Sequence, residues 1–357
     1  MLRADYQIRF NCPAFLGDAE QQSAWRTPPF KALLQHWWRI AVAKQYNYDW
    51  QGMREAEGRL FGHAWLDNGS WAMRSRVRIK LIHCNQGGLT EWVKDDPKVK
   101  HPEVKFSIGS QLYLGYGPLD FKKGLKNSPA INANEENQLT LIYPEAADEE
   151  LTHALQLIHL FGTLGGRSRN AWGSVELSAT SVGATPLSRQ TRLQGHDVLL
   201  NGNADLTRFQ RSLKDCLTQE WPHAIGTDEK GMLIWKTEAC TSWMAVMRKL
   251  AEVKIGYRTS LSVTKPFDER QVLALPVTRH TPKELKNDRL AGQMRSKIIQ
   301  QKGRFIGLVF HLPCKIPVEV AGKLRHPDAQ KLIASQEAIW RKVHAYLDLY
   351  LQRTGSK

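Results

Sequence analysis

No apolar run in these 357 residues approaches the roughly 20 that span a bilayer, and the first ten residues, MLRADYQIRF, lack the apolar stretch of a signal peptide. A cytoplasmic chain with no membrane partner is expected. Cysteine is sparse: Cys12, Cys84, Cys216, Cys240 and Cys314 are an odd number, widely scattered, with no C-x-x-C pair. That pattern points to neither a disulfide framework nor a zinc site, and no cofactor is expected. Acidic residues are outnumbered, 35 Asp+Glu against 50 Lys+Arg, which leaves a formal charge of +15. The hydrophobic fraction of 42% and charged fraction of 24% are ordinary for a globular chain and exclude a disordered or fibrous one.

The excess lies in cations and rings, with twelve tryptophans in the chain. Cations bind phosphates and flat rings stack on bases, so a nucleic acid is the leading partner, with a basic enzyme built on a Trp-rich core as the alternative. The length is about twice that of a usual domain.

Along the chain, Tyr6, Ile8 and Phe10 alternate in a first strand. Pro28-Pro29 then open a helix whose core stripe is Phe30, Leu33, Leu34, Trp37 and Ala41. Gln35 and Arg39 project opposite that stripe, and Lys31 and Trp38 share a flank, which leaves all four side chains available to a ligand. A second helix over 54–60 stops near Gly62. The segment 71–81 reads as one strand with Arg74, Arg76, Arg78 and Lys80 on a single face. Their spacing, about 6.8 Å per two residues, suits either a phosphate track or a solvated sheet face. Residues 106–116 read as a further strand between long loops at 84–104 and 117–137, and loops of that length usually carry function. Asp148 is expected to cap a helix with the face Leu151, Ala154, Leu155, Ile158 and Phe161, ended by Gly165 and Gly166. Val175, Leu177 and Ala179 close the pattern.

The order strand, helix, strand, strand, helix, strand over 1–180 is the split β-α-β, ferredoxin-like pattern, whose open sheet face RNA-recognition domains use. A boundary falls in the polar stretch 181–204. Over 181–357, helices are expected at 205–217, 241–254 and 328–352 and strands near 232–237 and 304–312, as a second, modified unit. Residues 256–303 read as irregular and basic, ordering on a partner. The expected class is α+β, two ferredoxin-like (RRM-like) domains with long inserted loops.

One motif stands out: Gly165-Gly166-Arg167-Ser168-Arg169-Asn170-Ala171-Trp172-Gly173, between a helix and a strand. Glycines let backbone amides approach phosphates, arginines supply charge and paired donors, and Trp172 offers a stacking face. No G-K-[ST] follows, and the glycines come after a helix, which excludes a nucleotide P-loop. A plain helix cap explains Gly165 but not the run that follows it.

GGRSRNAWGS after a helix, PPFKALLQHWWRI in the first helix and EGRLFG behind it resemble the RAMP proteins of CRISPR effector complexes, most closely the subunit 1 family of type III-B Cmr complexes. A further echo is Arg289-Leu290-Ala291, although this chain continues Gly292-Gln293 where the family continues Ser-Pro. The resemblance implies a noncatalytic member of a ribonucleoprotein, two ferredoxin-like folds, at the filament end where the 3′ part of the guide RNA and the target RNA lie. It places Lys31, Trp38, Arg39, Arg167, Arg169, Asn170 and Trp172 on RNA, with other effector subunits as partners. Gly165, Gly166, Ser168, Arg74, Arg76 and Arg78 complete the candidate contact set. The rival readings are a RAMP-type endoribonuclease, using His36, His63 or Asp18 in guide processing or target cleavage, and a scaffold that binds only proteins.

Overall fold

The computed structural model describes residues 1–65, 71–92, 96–126, 128–179, 193–264, 267–277 and 280–355. Two compact units emerge. Unit 1 comprises Met1–Lys94, Gly115–Val198 and Lys297–Ile299, and unit 2 comprises Asp95–Leu114, Leu199–Ser296 and Gln300–Lys357.

In unit 1, β1 (Leu2–Phe10) buries Ala4, Tyr6, Ile8 and Phe10 on one face. Each large side chain so removed from water contributes about 1.5–3 kcal/mol. Then come α1 (Thr27–Val42), α2 (Trp50–Phe61), β2 (Arg78–Leu81), β3 (Glu136–Tyr143), α3 (Asp148–Phe161) and β4 (Val175–Ala179). The sheet runs β4-β1-β3-β2, antiparallel throughout, with α1 and α3 as the crossovers, which is the split β-α-β arrangement. Phe30, Leu33 and Leu34 of α1 meet Leu155 and Ile158 of α3 over Ile79, Leu139, Leu141, Val175 and Leu177 of the sheet. Lys297 is also buried in this unit, where its Nζ donates to the carbonyls of His159, Ile158 (3.2 Å) and Val175 (2.6 Å). Burial lowers its pKa to about 7, while the three acceptors are those an ammonium requires.

Several expectations are corrected. The single strand over 71–81 does not form. Trp71–Met73 pairs with His63–Trp65 in a hairpin of its own, and Arg78–Leu81 alone joins the main sheet. Between them the Arg76 amide donates to Leu60 O (2.9 Å) and the Ser75 hydroxyl to Val77 O (2.7 Å), so the chain is tied to the end of α2 rather than to a ladder. Residues 106–116 hold a two-residue strand and the short helix Ser110–Gly115, whose Gln111 and Leu112 amides are capped by Asp96. The cap of α3 is Ala147, with Asp148 accepting from the Tyr143 hydroxyl (3.1 Å), and its C-cap is Gly162, three residues before the glycine pair.

Unit 2 repeats the arrangement with β5 (Ile234–Lys236), α4 (Trp243–Thr259), β6 (Met294–Gln301, whose Lys297–Ile299 count with unit 1), β7 (Arg304–His311), α5 (Gln336–Tyr350) and β8 (Gln352–Arg353). Its sheet order is β6-β7-β5-β8. The stretch 256–303 is more regular than expected, because α4 runs on to Thr259 and β6 forms at its end; Arg279 lies outside the described residues. The helix expected at 205–217 is instead a 3-10 turn, the strand Gln210–Ser212 paired parallel with Ile225–Thr227, and a single turn at Leu213–Cys216. Leu206, Phe209 and Leu213 are buried all the same, so helical spacing marked core residues without a helix. The long helix at 328–352 divides at Ser335 into Pro327–Ala334 and α5.

Candidate nucleic-acid interface

The α1 residues singled out from the sequence are engaged by other groups of the chain, with Lys31 and Arg39 still partly exposed. Trp38 is fully buried, with Nε1 donating to Glu150 (2.9 Å). Arg39 holds Glu57 through two bonds, 2.6 and 2.7 Å, and Gln35 donates to the same carboxylate. The Lys31 ammonium caps the last turn of α2 at Phe61 O (2.7 Å). The outer face of α1 is therefore not free as expected: α2 packs beside it and takes up these polar groups, Trp38 is buried, and Lys31 and Arg39 keep part of their surface exposed.

The glycine-rich loop is also tied inward, except at its tip. Gly166 N–H donates to Phe15 O and Gly173 N–H to Pro13 O, both at 2.9 Å, while the Ser168, Asn170 and Ala171 amides close turns within the loop. A Cβ on Gly165 would lie 2.6 Å from Phe15 O, and one on Gly173 1.9 Å from Leu164 O. Both residues have positive φ, so glycine is demanded there by the approach of segment 13–16 and by the hairpin closure. Trp172, read as a stacking platform, is fully buried against Phe15 (5.0 Å between rings) and Trp92 (5.6 Å). Ser168 and Asn170 are half-buried, and Arg167 and Arg169 are the exposed side chains of the loop.

The sheet face opposite the helices offers no aromatic platform either. Arg3, Asp5, Gln7 and Arg9 of β1 lie there beside Thr140, Ile142, Glu176, Arg78 and Lys80, and none of these is a ring. Arg3 pairs with Asp5 (2.9 Å), Arg9 with Glu176 (2.7 Å), and Gln7 donates to Glu136 (2.9 Å). Arg74, Arg76, Arg78 and Lys80 are all exposed, but they are divided between irregular chain and β2 and form no continuous row.

What does meet the Arg-bearing loop is Gly117-Pro118, the lead into a small hairpin, Leu119–Asp120 with Gly124–Leu125, inside the long loop at 117–137. Gly117 lies so close that a Cβ on it would stand 3.3 Å from Arg167 Nη2, and one on Gly166 would stand 3.2 Å from Pro118. Trp92 and Trp172 back the hairpin, at Gly124 and Gly115 respectively. Its tip carries Phe121, 85% exposed, followed by Lys122 and Lys123, with Tyr116 (62% exposed) and Lys126 at its base. Asp120 accepts the Lys122 and Lys123 amides (2.8 and 3.1 Å), and those bonds hold its carboxyl below the usual range. The tip is thus locally shaped and presents cations and a ring beside the half-buried Asp120. Its sequence, Tyr-Gly-Pro-Leu-Asp-Phe-Lys-Lys-Gly-Leu-Lys, interleaves aromatics with lysines between turn residues, a signal present in the chain but masked by the twelve tryptophans. Six of those, Trp25, Trp37, Trp38, Trp172, Trp235 and Trp340, are among the largest fully buried side chains.

Of the groups considered for catalysis, Asp18 accepts the Glu20 and Gln22 amides (3.0 and 2.9 Å) and so shapes the turn between Gly17 and Ser23. His36 is half-buried beside Trp37, and His63 lies in the hairpin strand His63–Trp65. Among the described residues no group of three His, Cys, Asp or Glu side chains is placed to hold a metal ion, and no helix is long and apolar enough to cross a membrane.

Residues 26–176, the segment that carries α1 to α3, the hairpin and the glycine-rich loop, match the RAMP superfamily. Two solved structures align with most of the chain. Cmr1 from Pyrococcus furiosus, in its apo form, is 16% identical over 94% of this chain and 97% of that one, with a TM-score of 0.49. A chain of a Type III-B Cmr-beta assembly, bound to cognate target RNA and AMPPnP in the presence of ssDNA, is 11% identical over 96% of this chain and 99% of that one, with a TM-score of 0.50. The latter likeness is one of α+β fold. No curated protein matches the chain.

Proposed function

We propose that this chain is a noncatalytic RNA-binding subunit of a type III-B, Cmr-like CRISPR ribonucleoprotein, contacting the 3′ region of the guide RNA, the target RNA, or both. The observation that carries the reading is the cluster of Arg167, Arg169, Phe121, Lys122 and Lys123 on the RAMP-matching segment. Lysine and arginine grip phosphates without regard to sequence, and an exposed ring stacks on any base, so such a surface suits an RNA whose sequence is read by pairing with another strand. The +15 charge supports the same partner. The cytoplasm, where such a ribonucleoprotein meets its target, is the matching compartment. The occupation of Asp18 within a turn counts against the nuclease alternative.

The test is binding of a labelled single-stranded RNA to the full chain over a salt series, without metal and then with magnesium. Salt-sensitive, sequence-indifferent binding that leaves the RNA whole is expected. Cleavage abolished by Asp18→Ala or His36→Ala overturns the reading in favour of a nuclease, and absence of binding overturns it in favour of a protein scaffold.

A further inference from the structure

Unit 2 carries a second hairpin of the same chemistry, Lys98–Val99 paired with Ile108–Gly109, in a segment to which no motif pointed. Its connecting loop exposes Lys98, Lys100 and Lys105, together with Phe106 at 79%. The described carboxylates of this segment are turned to internal use. Asp96 accepts the Gln111 and Leu112 amides (both 2.9 Å) and the Ser110 hydroxyl (3.0 Å), and Glu103 pairs at 2.7 Å with Arg270, whose side chain is only 6% exposed. His101 Nδ1 accepts the Glu103 amide (3.2 Å) and its ring stands 5.9 Å from that of Tyr113, while Val99 is buried beneath the strand. The loop is therefore anchored at several points, and among the groups it shows to solvent are three cations and a ring, beside Val104 and the paired Glu103. Lys98 and Lys100, two positions apart in extended chain, stand about 6.8 Å from each other, close to the phosphate repeat of an extended single strand. A loop already held in shape loses little freedom on binding.

We infer that this loop is a second single-stranded RNA contact, in which Lys98, Lys100 and Lys105 follow the backbone and Phe106 stacks on a base. The inference rests on the RNA-binding reading above and extends it to unit 2. An acidic protein surface is the competing occupant, but it gives no role to the ring.

The experiment uses the full chain, a fluorescein-labelled 30-nucleotide oligouridine, a salt series from 50 to 300 mM, and the variants Lys98→Ala/Lys100→Ala/Lys105→Ala and Phe106→Ala. The triple variant is expected to flatten the slope of log affinity against log salt by about 2, from about 0.7 per phosphate contact. Phe106→Ala is expected to weaken binding about tenfold with the slope unchanged. If the alanine variant precipitates, the corresponding triple Lys→Gln variant, checked by its thermal melt, takes its place. Wild-type binding with both variants indistinguishable from it overturns this contact, favours the protein occupant and leaves the proposed function standing. Failure of the wild-type chain to bind RNA at all overturns both.

Discussion

The face of α1 and the hairpin at 119–125 both present cations and aromatics within the RAMP-matching segment, yet they have opposite fates in the folded chain. On α1 each polar group meets a partner: Arg39 and Gln35 meet Glu57, Trp38 meets Glu150, and Lys31 meets the end of α2. On the hairpin the one carboxylate, Asp120, is turned to the backbone and the cations face outward beside an exposed Phe121. The type of residue is the same, and what differs is whether the fold supplies a counter-group. Charges already neutralised in the monomer have little left to offer a phosphate, whereas those of the hairpin remain available.

Lowering the pH has the largest expected effect, and it acts on buried histidines of the two interiors and not on the hairpin. In the unfolded chain a histidine takes its proton near pH 6.5. Burial pushes His159 and His344 down to about 3 and His223 to about 4 in the fold, so the unfolded chain binds more protons below 6.5 and stability falls as the pH drops. The loss by pH 5 is about 2 kcal/mol per ring, measurable as a shift of the urea midpoint. The hairpin and its base, 116–126, contain no histidine, so RNA affinity of the still-folded fraction is expected to hold.

Trp172→Ala comes next, with a loss of about 3–5 kcal/mol in stability, since it removes a fully buried ring. A variant that melts like wild type but loses RNA would restore Trp172 as a stacking residue and break the comparison. Smaller again is Phe121→Ala/Lys122→Ala/Lys123→Ala, expected to weaken single-stranded RNA binding about 10- to 100-fold while leaving stability within about 0.5 kcal/mol. Smallest is Arg39→Ala, which leaves the largely buried Glu57 without its bidentate partner and costs about 1–2 kcal/mol in denaturant unfolding, with no change in the salt slope of binding. A flattened slope would show that Arg39 leaves Glu57 for RNA.

Much of the scaffold could be read from local pattern. β1 alternates cleanly because one face is core, and α1 carries five apolar residues at helical spacing, all of them buried. The site was harder. Helical spacing puts Lys31 and Arg39 away from the core stripe, but it does not reveal that α2 packs over them. Gly165 and Gly173 do mark a special backbone, yet the close neighbour is the protein's own segment at 13–16 and the loop itself, which are distant or unremarkable in sequence. The hairpin at 119–125 has strands of only two residues, too short for any periodicity to register, so its exposed Phe121 stayed hidden within a loop assigned by length alone. The break at Ser75–Arg76 follows from a bond to Leu60 that spacing cannot show.

The buried ammonium of Lys297 has a consequence for the order in which this protein is made. Apart from the excursion Asp95–Leu114, unit 1 runs up to Val198, but it also requires Lys297–Ile299, synthesised roughly a hundred residues later. At about 5–20 residues per second that gap amounts to some 5–20 seconds on the ribosome, during which the carbonyls of Ile158, His159 and Val175 lack their donor. The amino-terminal unit of this chain therefore completes its interior late in translation, when most of the second unit has already emerged.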